Sequence, residues 1–274
     1  MGTIGDRGIY RNLTMSPDEK RLALDRTDAG LGTPDIWVME LSSGILTRVT
    51  FDPGTESDPA WSPDSRQIAY RFSSQGKSGI ARKNVGGGTE EVLFETKDLI
   101  FPQDWVRDGS ALLCINLSGK SFYRLPLSVE RKLETLLDTP FDKDEPHLSP
   151  DGRWIAYNSL ESGRWEVYVA AFPSFTEKRQ VSNGGGCQPL WRKDQKELFY
   201  LTLEGAIVAM DVKTGAAVET GPPKTLFQTG LSVNPIYDQY RVTGDGQRFV
   251  VTDPVDEGTR PFTVVLNAAS AIRR

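Results

Sequence analysis

The chain contains a single histidine, His147, so any imidazole that acts as a general base or metal ligand must be this residue. It lies between Pro146 and Leu148, just before a Ser-Pro-Asp-Gly turn. A Ser-His-Asp or Cys-His device needs such an imidazole beside a nucleophile. The sequence offers neither a G-x-S-x-G nucleophile elbow nor an HExxH zinc motif. Two interpretations remain open. His147 is a base or a lone metal ligand, or it is a polar residue held by its neighbours, and the pattern favours the second.

Other motifs that could carry chemistry are incomplete. Cys114 and Cys187 lack the CxxC spacing of a structural zinc site or a thioredoxin-like redox motif. Gly76-Lys77-Ser78 resembles the end of a phosphate-binding loop, but Arg71 stands where that loop requires its first glycine. We therefore predict no catalytic residue, no cofactor and no metal site.

A turn signature recurs along the whole chain and organises it. Its clear copies are Ser16-Pro17-Asp18, Ser62-Pro63-Asp64 and Ser149-Pro150-Asp151-Gly152. Three degenerate copies contain the further aspartates Asp108, Asp194 and Asp245. The six aspartates are separated by 46, 44, 43, 43 and 51 residues. A fixed period of this size indicates an array of equal supersecondary units. On different units, these aspartates are expected to cap their own turns rather than to share a metal ion.

Each repeat reads as four short strands. In the second unit, Gln67-Ile68-Ala69-Tyr70-Arg71-Phe72 alternates apolar residues at a period of two, which is typical of a strand. Four antiparallel strands in about 44 residues form a blade of a β-propeller. The sequence thus predicts an all-β, six-bladed propeller with four antiparallel strands per blade. The whole chain, 1–274, is expected to form this single propeller, with blades at about 11–55, 56–99, 100–142, 143–185, 186–232 and 233–274 plus 1–10.

The two ends of the repeat array carry further expectations. The last unit lacks a fourth strand, and we predict that Gly2-Thr3-Ile4 supplies it and covers the open sheet edge. Trp61, Trp105 and Trp191 occupy one equivalent position in their units. We predict that they pack between neighbouring blades and do not form an aromatic ligand-binding site.

The entrances of the innermost strands give the candidate binding site. Residues three before the tryptophan position, and one before it, are polar in most units. Loop-lined ends of a repeat array commonly bind partners, each unit contributing a residue. The candidate residues are Asn12, Asp58, Asp104, Glu145, His147, Gln188, Gln239 and Arg241. The plain alternative is that they are solvated strand ends. A cation or a basic peptide segment would suit Asp58, Asp104 and Glu145.

Composition excludes several classes of partner. The chain has 32 basic and 37 acidic residues, a net charge of −5 and no basic block. This argues against a nucleic-acid surface, which needs clustered Lys and Arg. No apolar run reaches the ~20 residues of a membrane span, and the first residues do not resemble a signal peptide. We expect neither membrane insertion nor nucleic-acid binding by this chain.

The turn and its flanks resemble a known repeat. Trp61-Ser62-Pro63-Asp64-Ser65-Arg66-Gln67-Ile68-Ala69-Tyr70 and the segment 148–157 are similar to the WD40-like PD40 repeat of TolB-type propellers. Segments 161–169, 196–200 and 263–267 are similar to the propeller that follows bacterial transmembrane Ser/Thr kinase domains, notably in acidobacteria. The resemblance implies a sensing or protein-binding propeller outside the cytoplasm. No kinase motif and no TolB amino-terminal domain are present in this sequence.

We therefore expect a non-catalytic sensor or scaffold domain that binds a protein, a peptide or a small ligand at one end of the channel. The main rival is a hydrolase or lyase with its site at that end and His147 as base. A third interpretation is a structural segment that spaces or dimerises a larger chain.

Overall fold

The computed structural model describes residues 2–5, 9–28, 32–128, 130–252 and 262–266. Within these ranges all regular elements are β-strands, and no helix is long and apolar enough to cross a membrane. The chain divides into two compact units. The amino-terminal unit consists mainly of Ile4–Asp138. The carboxy-terminal unit consists of Thr139–Pro254 and the two chain ends, Met1–Thr3 and Phe262–Arg274.

The first strand, β1 (Gly2–Ile4), precedes the three sheets of the amino-terminal unit. The first sheet contains β2 (Ile9–Met15), β3 (Arg21–Thr27), β4 (Pro34–Glu40) and β5 (Leu46–Arg48). The second contains β6 (Thr55–Trp61), β7 (Gln67–Ser74), β8 (Lys77–Asn84) and β9 (Glu91–Glu95). The third contains β10 (Ile100–Trp105), β11 (Ala111–Asn116), β12 (Ser121–Pro126) and β13 (Glu134–Asp138). In each sheet, consecutive strands pair antiparallel as a meander.

The carboxy-terminal unit holds three further antiparallel sheets. The fourth sheet contains β14 (Lys143–Leu148), β15 (Trp154–Ser159), β16 (Glu166–Ala171) and β17 (Arg179–Gln180). The fifth contains β18 (Cys187–Trp191), β19 (Glu197–Leu201), β20 (Ala206–Thr214), β21 (Val218–Thr220) and β22 (Lys224–Gln228). The last contains β23 (Tyr240–Val242), β24 (Arg248–Thr252) and β25 (Phe262–Leu266), and β1 completes it on the far side of β25. The first strand of the chain therefore closes the last sheet, as the missing fourth strand predicts.

The prediction of six blades with four strands each is wrong. Among the described residues, five blades, not six, have four strands each. The fifth sheet of the chain is the exception, since it has five strands. Its long strand β20 pairs with β22 through its first half and with β21 through its second half. Pro222 and Pro223 stand between β21 and β22. Proline cannot donate to a strand ladder, so the outer segment is split in two. These extra residues account for the long last interval of the turn repeat.

The turn aspartates cap their own turns. Each carboxylate accepts a hydrogen bond from the backbone N–H two residues later, at 2.9–3.2 Å, in all six copies. In four copies a Ser or Thr hydroxyl two residues earlier donates to the same carboxylate, at 2.5–2.6 Å. The local interpretation of these residues is confirmed, since Asx turns satisfy backbone donors in this way.

The tryptophan column joins neighbouring sheets within each unit. Trp61 Nε1 donates to the backbone oxygen of Thr14 at 3.3 Å, and Trp105 Nε1 donates to that of Ala60 at 3.1 Å. Trp191 Nε1 donates in the same way to His147 O at 3.1 Å. Each indole thus bonds to the inner strand of the preceding sheet. The expectation of packing between sheets is confirmed for these three residues.

Apolar clusters fill the spaces between adjacent sheets of one unit. In the amino-terminal unit, Trp61 and Tyr70 pack with Ile36 of the first sheet, and Trp105 packs with Ala60 and Leu112. In the carboxy-terminal unit, Trp154 and Tyr200 share one cluster. A second cluster, between the fifth and last sheets, places Phe199 edge-on to Phe249. This layered burial fixes the inner strands and the residues they present.

Candidate functional site

A β-bulge recurs in the inner strands at the positions predicted to bind. The strand register slips there in five sheets, and in four of these one residue of the bulge has a positive φ. These residues are Asn12 (φ 47°), Asp58 (57°), Glu145 (51°) and Gln188 (54°). In three of the four, a proline follows: Pro59, Pro146 and Pro189. Non-glycine residues rarely adopt this conformation, and strained positions of this kind concentrate at functional sites. The bulges therefore mark the best candidate positions.

In the carboxy-terminal unit, two carboxylates and the imidazole come together. We call Glu145, His147 and Asp238 the carboxylate–histidine cluster. His147 Nε2 lies 3.5 Å from Glu145 Oε2 and 3.9 Å from Asp238 Oδ1, and one atom from each residue lies within 4.8 Å of the others. Glu145 is only 3% exposed. The three groups therefore form a compact set of metal-binding atoms.

Arg241 sets the charge of the cluster from one side. Its guanidinium forms a close ion pair with Asp238 Oδ2 and donates to Tyr240 O at 3.0 Å. Burial opposes ionisation of Asp238, but the positive charge of Arg241, together with the other polar groups around this carboxyl, lowers its pKa. Burial, followed by the charge of Asp238, raises the pKa of Glu145 well above its ordinary value. Of the two carboxyl groups, Glu145 therefore has the higher pKa.

An amide network fixes the loop that carries Asp238. This loop spans residues 229–239, between β22 and β23. Gln188 Nε2 donates to Asn234 O at 2.9 Å, and Gln239 Nε2 donates to Ser232 O at 2.9 Å. Asn158 Nδ2 donates to Pro235 O at 3.2 Å. Two buried amides on two sheets, Gln188 and Asn158, and the buried amide of Gln239 within the loop thus hold this loop in place.

The same loop presents apolar surface beside the cluster. Ile236 is 48% exposed, and its neighbour Tyr237 is partly exposed. Asp238 follows them directly and points its Oδ1 atom at His147. The 229–239 loop therefore combines a fixed backbone, an exposed aliphatic side chain and an acidic group.

A separate polar group occupies the amino-terminal unit. Asn12 Nδ2 donates to Asp58 Oδ1 at 3.0 Å and to Asp25 Oδ2 at 2.9 Å. The backbone N–H of Asp58 donates to Asp25 Oδ1 at 3.3 Å. Burial and the charge of Asp58 raise the pKa of Asp25 well above its ordinary value. Asp104 is bonded elsewhere, with its carboxylate 3.2 Å from Arg107 NH2.

The predicted residues therefore fall into two groups and one single residue. The carboxy-terminal unit brings together Glu145 with His147, and Gln188 with Gln239, and places Arg241 on Asp238. The amino-terminal unit brings together Asn12 and Asp58. That all eight residues line one channel end stays a prediction.

Sequence reasoning missed three members of these groups. Asp25 and Asn158 occupy equivalent places in the second strands of their sheets, where a buried polar residue ends an apolar run. That polar position is a signal that the sequence does contain. Asp238 lies in the loop outside the turn repeat, and no periodic comparison could have selected it.

The repeat and its sheets correspond to a known family. The model of the TolB beta propeller domain, PD40, matches residues 6–195, more than half of the chain. The chain belongs to this family. Its sheets are accordingly the blades of an all-β propeller, which confirms the PD40 resemblance. The narrower likeness to kinase-linked propellers stays a prediction.

Relatives of this TolB-like propeller domain are distant. The chain is 28% identical over 169 residues to protein Atu1656 of Agrobacterium fabrum, covering 58% of the chain and 54% of that protein. It is 28% identical over 160 residues to the Tol-Pal system protein TolB of Bordetella parapertussis, covering 57% of the chain and 36% of that protein. The crystal structure of TolB from Acinetobacter baumannii is similar to this chain, with a TM-score of 0.69 and 19% identity. The match covers 95% of this chain and 61% of the TolB chain. The chain thus spans about half or less of the length of these curated relatives.

Proposed function

We propose that this propeller domain is a non-catalytic binding module of the cell envelope that captures a segment of a protein partner at the 229–239 loop. The anchored loop, with Ile236 and Tyr237 beside the carboxylate–histidine cluster, carries the proposal. Membership of the TolB propeller family and the likeness to TolB proteins support an envelope role and a location outside the cytoplasm. Fractionation of the source bacterium, with an antibody against the native protein, tests that location.

The loop suits binding because its shape exists before a partner arrives. Three of its backbone oxygens accept hydrogen bonds from the side-chain amides of Asn158, Gln188 and Gln239. Little conformational entropy is therefore lost when a partner binds. The exposed Ile236 offers apolar area, and Asp238 offers negative charge. A segment with an apolar side chain next to a basic one matches this surface.

The experiment selects peptides and then asks where they bind. A phage-displayed library of random peptides is selected on the wild-type domain, and the affinity of enriched peptides is measured by isothermal titration calorimetry. We expect enrichment of basic-plus-apolar sequences. Ile236→Asp is expected to weaken their binding at least about tenfold, a loss of about 1.4 kcal/mol.

Ile45→Asp supplies the matched control. Ile45 is an exposed aliphatic residue of the other unit, at 63% exposure, and lies far outside the loop in sequence. Binding should survive this change. Equal loss in both variants, or enriched peptides that ignore Ile236→Asp, would remove the loop from the proposal.

A hydrolase or lyase that uses His147 is the second candidate. The imidazole 3.5 Å from Glu145 Oε2 favours it, because a carboxylate that orients an imidazole is a common part of acid–base devices. Turnover of p-nitrophenyl esters and of uronate oligosaccharides provides the assay. A catalytic role requires that turnover exists and that His147→Ala abolishes it while the circular dichroism spectrum stays unchanged.

A further inference from the structure

The carboxylate–histidine cluster contains acceptor atoms that the protein itself does not satisfy. Within the described part of the chain, neither Glu145 Oε2 nor Asp238 Oδ1 accepts a hydrogen bond, although both atoms are buried. Buried polar atoms nearly always have a partner, so each exception calls for one. Glu145 is only 3% exposed, and its backbone has a left-handed conformation with a φ of 51°.

The spacing of the three groups matches the coordination sphere of a small ion. Two ligands that are each about 2.1 Å from one metal ion, at a tetrahedral angle, lie about 3.4 Å apart. The distances from His147 Nε2 to the two carboxylate atoms are 3.5 and 3.9 Å. Small side-chain movements would bring all three donors to one ion.

The carboxylates of this cluster outnumber the positive charge that pairs with them, so a cation would be favoured there. Glu145 and Asp238 contribute two carboxylates, and Asp144, whose Oδ1 accepts a hydrogen bond from the backbone N–H of Glu145 at 2.8 Å, adds a third nearby. Arg241 is the cation that pairs with this group, and it uses the other oxygen of Asp238. The Oδ1 atom of Asp238 therefore remains directed at His147 and Glu145. A divalent ion would add the positive charge that two close carboxylates otherwise lack.

We infer that Glu145, His147 and Asp238 bind a divalent first-row metal ion, with one imidazole nitrogen and two carboxylate oxygens as protein ligands. This donor set suits Zn²⁺ and Mn²⁺ better than Ca²⁺ or Mg²⁺, which prefer oxygen ligands alone. The ion would join the 229–239 loop, through Asp238, to the inner strand β14. The inference stands independently of the binding function proposed above.

The proton is the rival occupant. Without a metal ion, a proton on Glu145 can be shared with the Asp238 carboxylate, and the cluster is then complete in itself. Glu145→Gln separates the two cases, because the amide has the same shape and removes a metal ligand. If a metal ion binds, this variant loses it. If only the proton matters, the variant behaves as the wild type does toward metals.

The test uses the whole chain after treatment with a chelator. ZnCl₂ and MnCl₂ are titrated separately by isothermal titration calorimetry, and bound metal is counted by mass spectrometry after desalting. We expect one ion per chain and a rise in the thermal midpoint with metal. Glu145→Gln, His147→Ala and Asp238→Asn should each weaken binding at least about tenfold.

Two further measurements keep the result clear. Co²⁺ substitution should give a visible absorption band in the wild type that Glu145→Gln lacks. Glu56→Gln removes a buried glutamate of the other unit and should leave metal binding unchanged. Absence of stoichiometric binding, or binding that survives both Glu145→Gln and His147→Ala in folded protein, overturns the site.

Discussion

Gln188, on the inner strand of the fifth sheet, and Gln239, the last residue of the 229–239 loop, bond to each other through both side chain and backbone. Gln188 Nε2 donates to Gln239 Oε1 at 3.1 Å, and the backbone N–H of Gln239 donates to Gln188 Oε1 at 2.9 Å. Gln239 Oε1 also accepts from the backbone N–H of Asn234 at 2.7 Å. The pair therefore couples an inner-strand bulge to the base of the 229–239 loop.

Gln188→Ala should loosen that loop. The change removes the donor to Asn234 O and the acceptor of the Gln239 backbone N–H, which costs about 2–3 kcal/mol in the free energy of unfolding. Amide hydrogen exchange should accelerate in residues 232–239 more than in β24. Gln247→Ala, at an exposed glutamine of the same unit, is the control and should leave exchange in the loop unchanged. Uniform acceleration throughout the unit would show that Gln188 has no special effect on the loop.

Trp61→Ala should destabilise the amino-terminal unit strongly. The indole is buried between the first two sheets, bonds to Thr14 O and lies beneath the guanidinium of Arg21, 5.0 Å from the ring centroid. Removing it leaves a large cavity and is expected to cost about 3–5 kcal/mol. Urea denaturation provides the measurement. Trp61→Phe keeps most of the packing and loses the hydrogen bond, so it should cost about 1–2 kcal/mol. Equal costs for both variants would contradict this division.

Repetition made the blades and their joints predictable. A comparison of one repeat with the next predicts the capping by the turn aspartates, the packing of the tryptophan column and the closure by strand β1. This works because equivalent residues of a repeat occupy equivalent environments. Asp238 could not be found in this way. It lies in the 229–239 loop, which is a connection outside the turn repeat. The position of this loop depends on amides from other sheets.

The strand count failed for a related reason. The proline pair at 222 and 223 is visible in the sequence, but its effect depends on β20 being long enough to pair with two outer strands at once. Strand length is set by the partners available in the sheet rather than by local residue types alone. The bulges at Asp58, Glu145 and Gln188 likewise required a register, which only the paired strands define.

Asp151→Ala should weaken the best-capped turn. Its carboxylate accepts from Ser149 Oγ at 2.6 Å and from Arg153 N at 3.0 Å, and its backbone N–H donates to Gln195 Oε1 at 3.2 Å. We expect a loss of about 1–2 kcal/mol in urea denaturation near neutral pH. Burial opposes ionisation, but these hydrogen bonds lower the pKa of Asp151 to about 2.

The pH dependence gives this prediction its sign. A carboxyl group whose pKa is lowered on folding stabilises the native state above its unfolded pKa, and that contribution disappears as the pH falls through the folded value. The difference between wild type and Asp151→Ala should therefore shrink below about pH 4. Asp108→Ala is the comparison, because that turn has no Ser or Thr two residues before the aspartate, and its effect should be smaller. A larger effect at Asp108 would mean that the hydroxyl of Ser149 does not make its turn the more strongly capped one.

Glu56→Gln should remove a destabilising pH dependence from the amino-terminal unit. Glu56 is buried near Asp35, Asp52 and Glu90, and burial together with these charges raises its pKa to about 8. Between its ordinary value of 4.5 and about 8, the native state binds a proton that the unfolded chain does not. The stability supplied by this group is therefore complete at acidic pH and is lost as the pH rises through about 8.

The size of this effect and its control make the measurement decisive. One pKa unit corresponds to about 1.4 kcal/mol, and the full pKa difference sets an upper bound, so we expect about 2–3 kcal/mol between pH 5 and pH 9. Glu56→Gln should flatten the dependence and be the more stable protein at the alkaline end. Glu204→Gln, at an exposed glutamate, should follow the wild-type curve. If Glu56→Gln also runs parallel to the wild type in urea denaturation across this range, the raised pKa of Glu56 does not govern the stability of this unit.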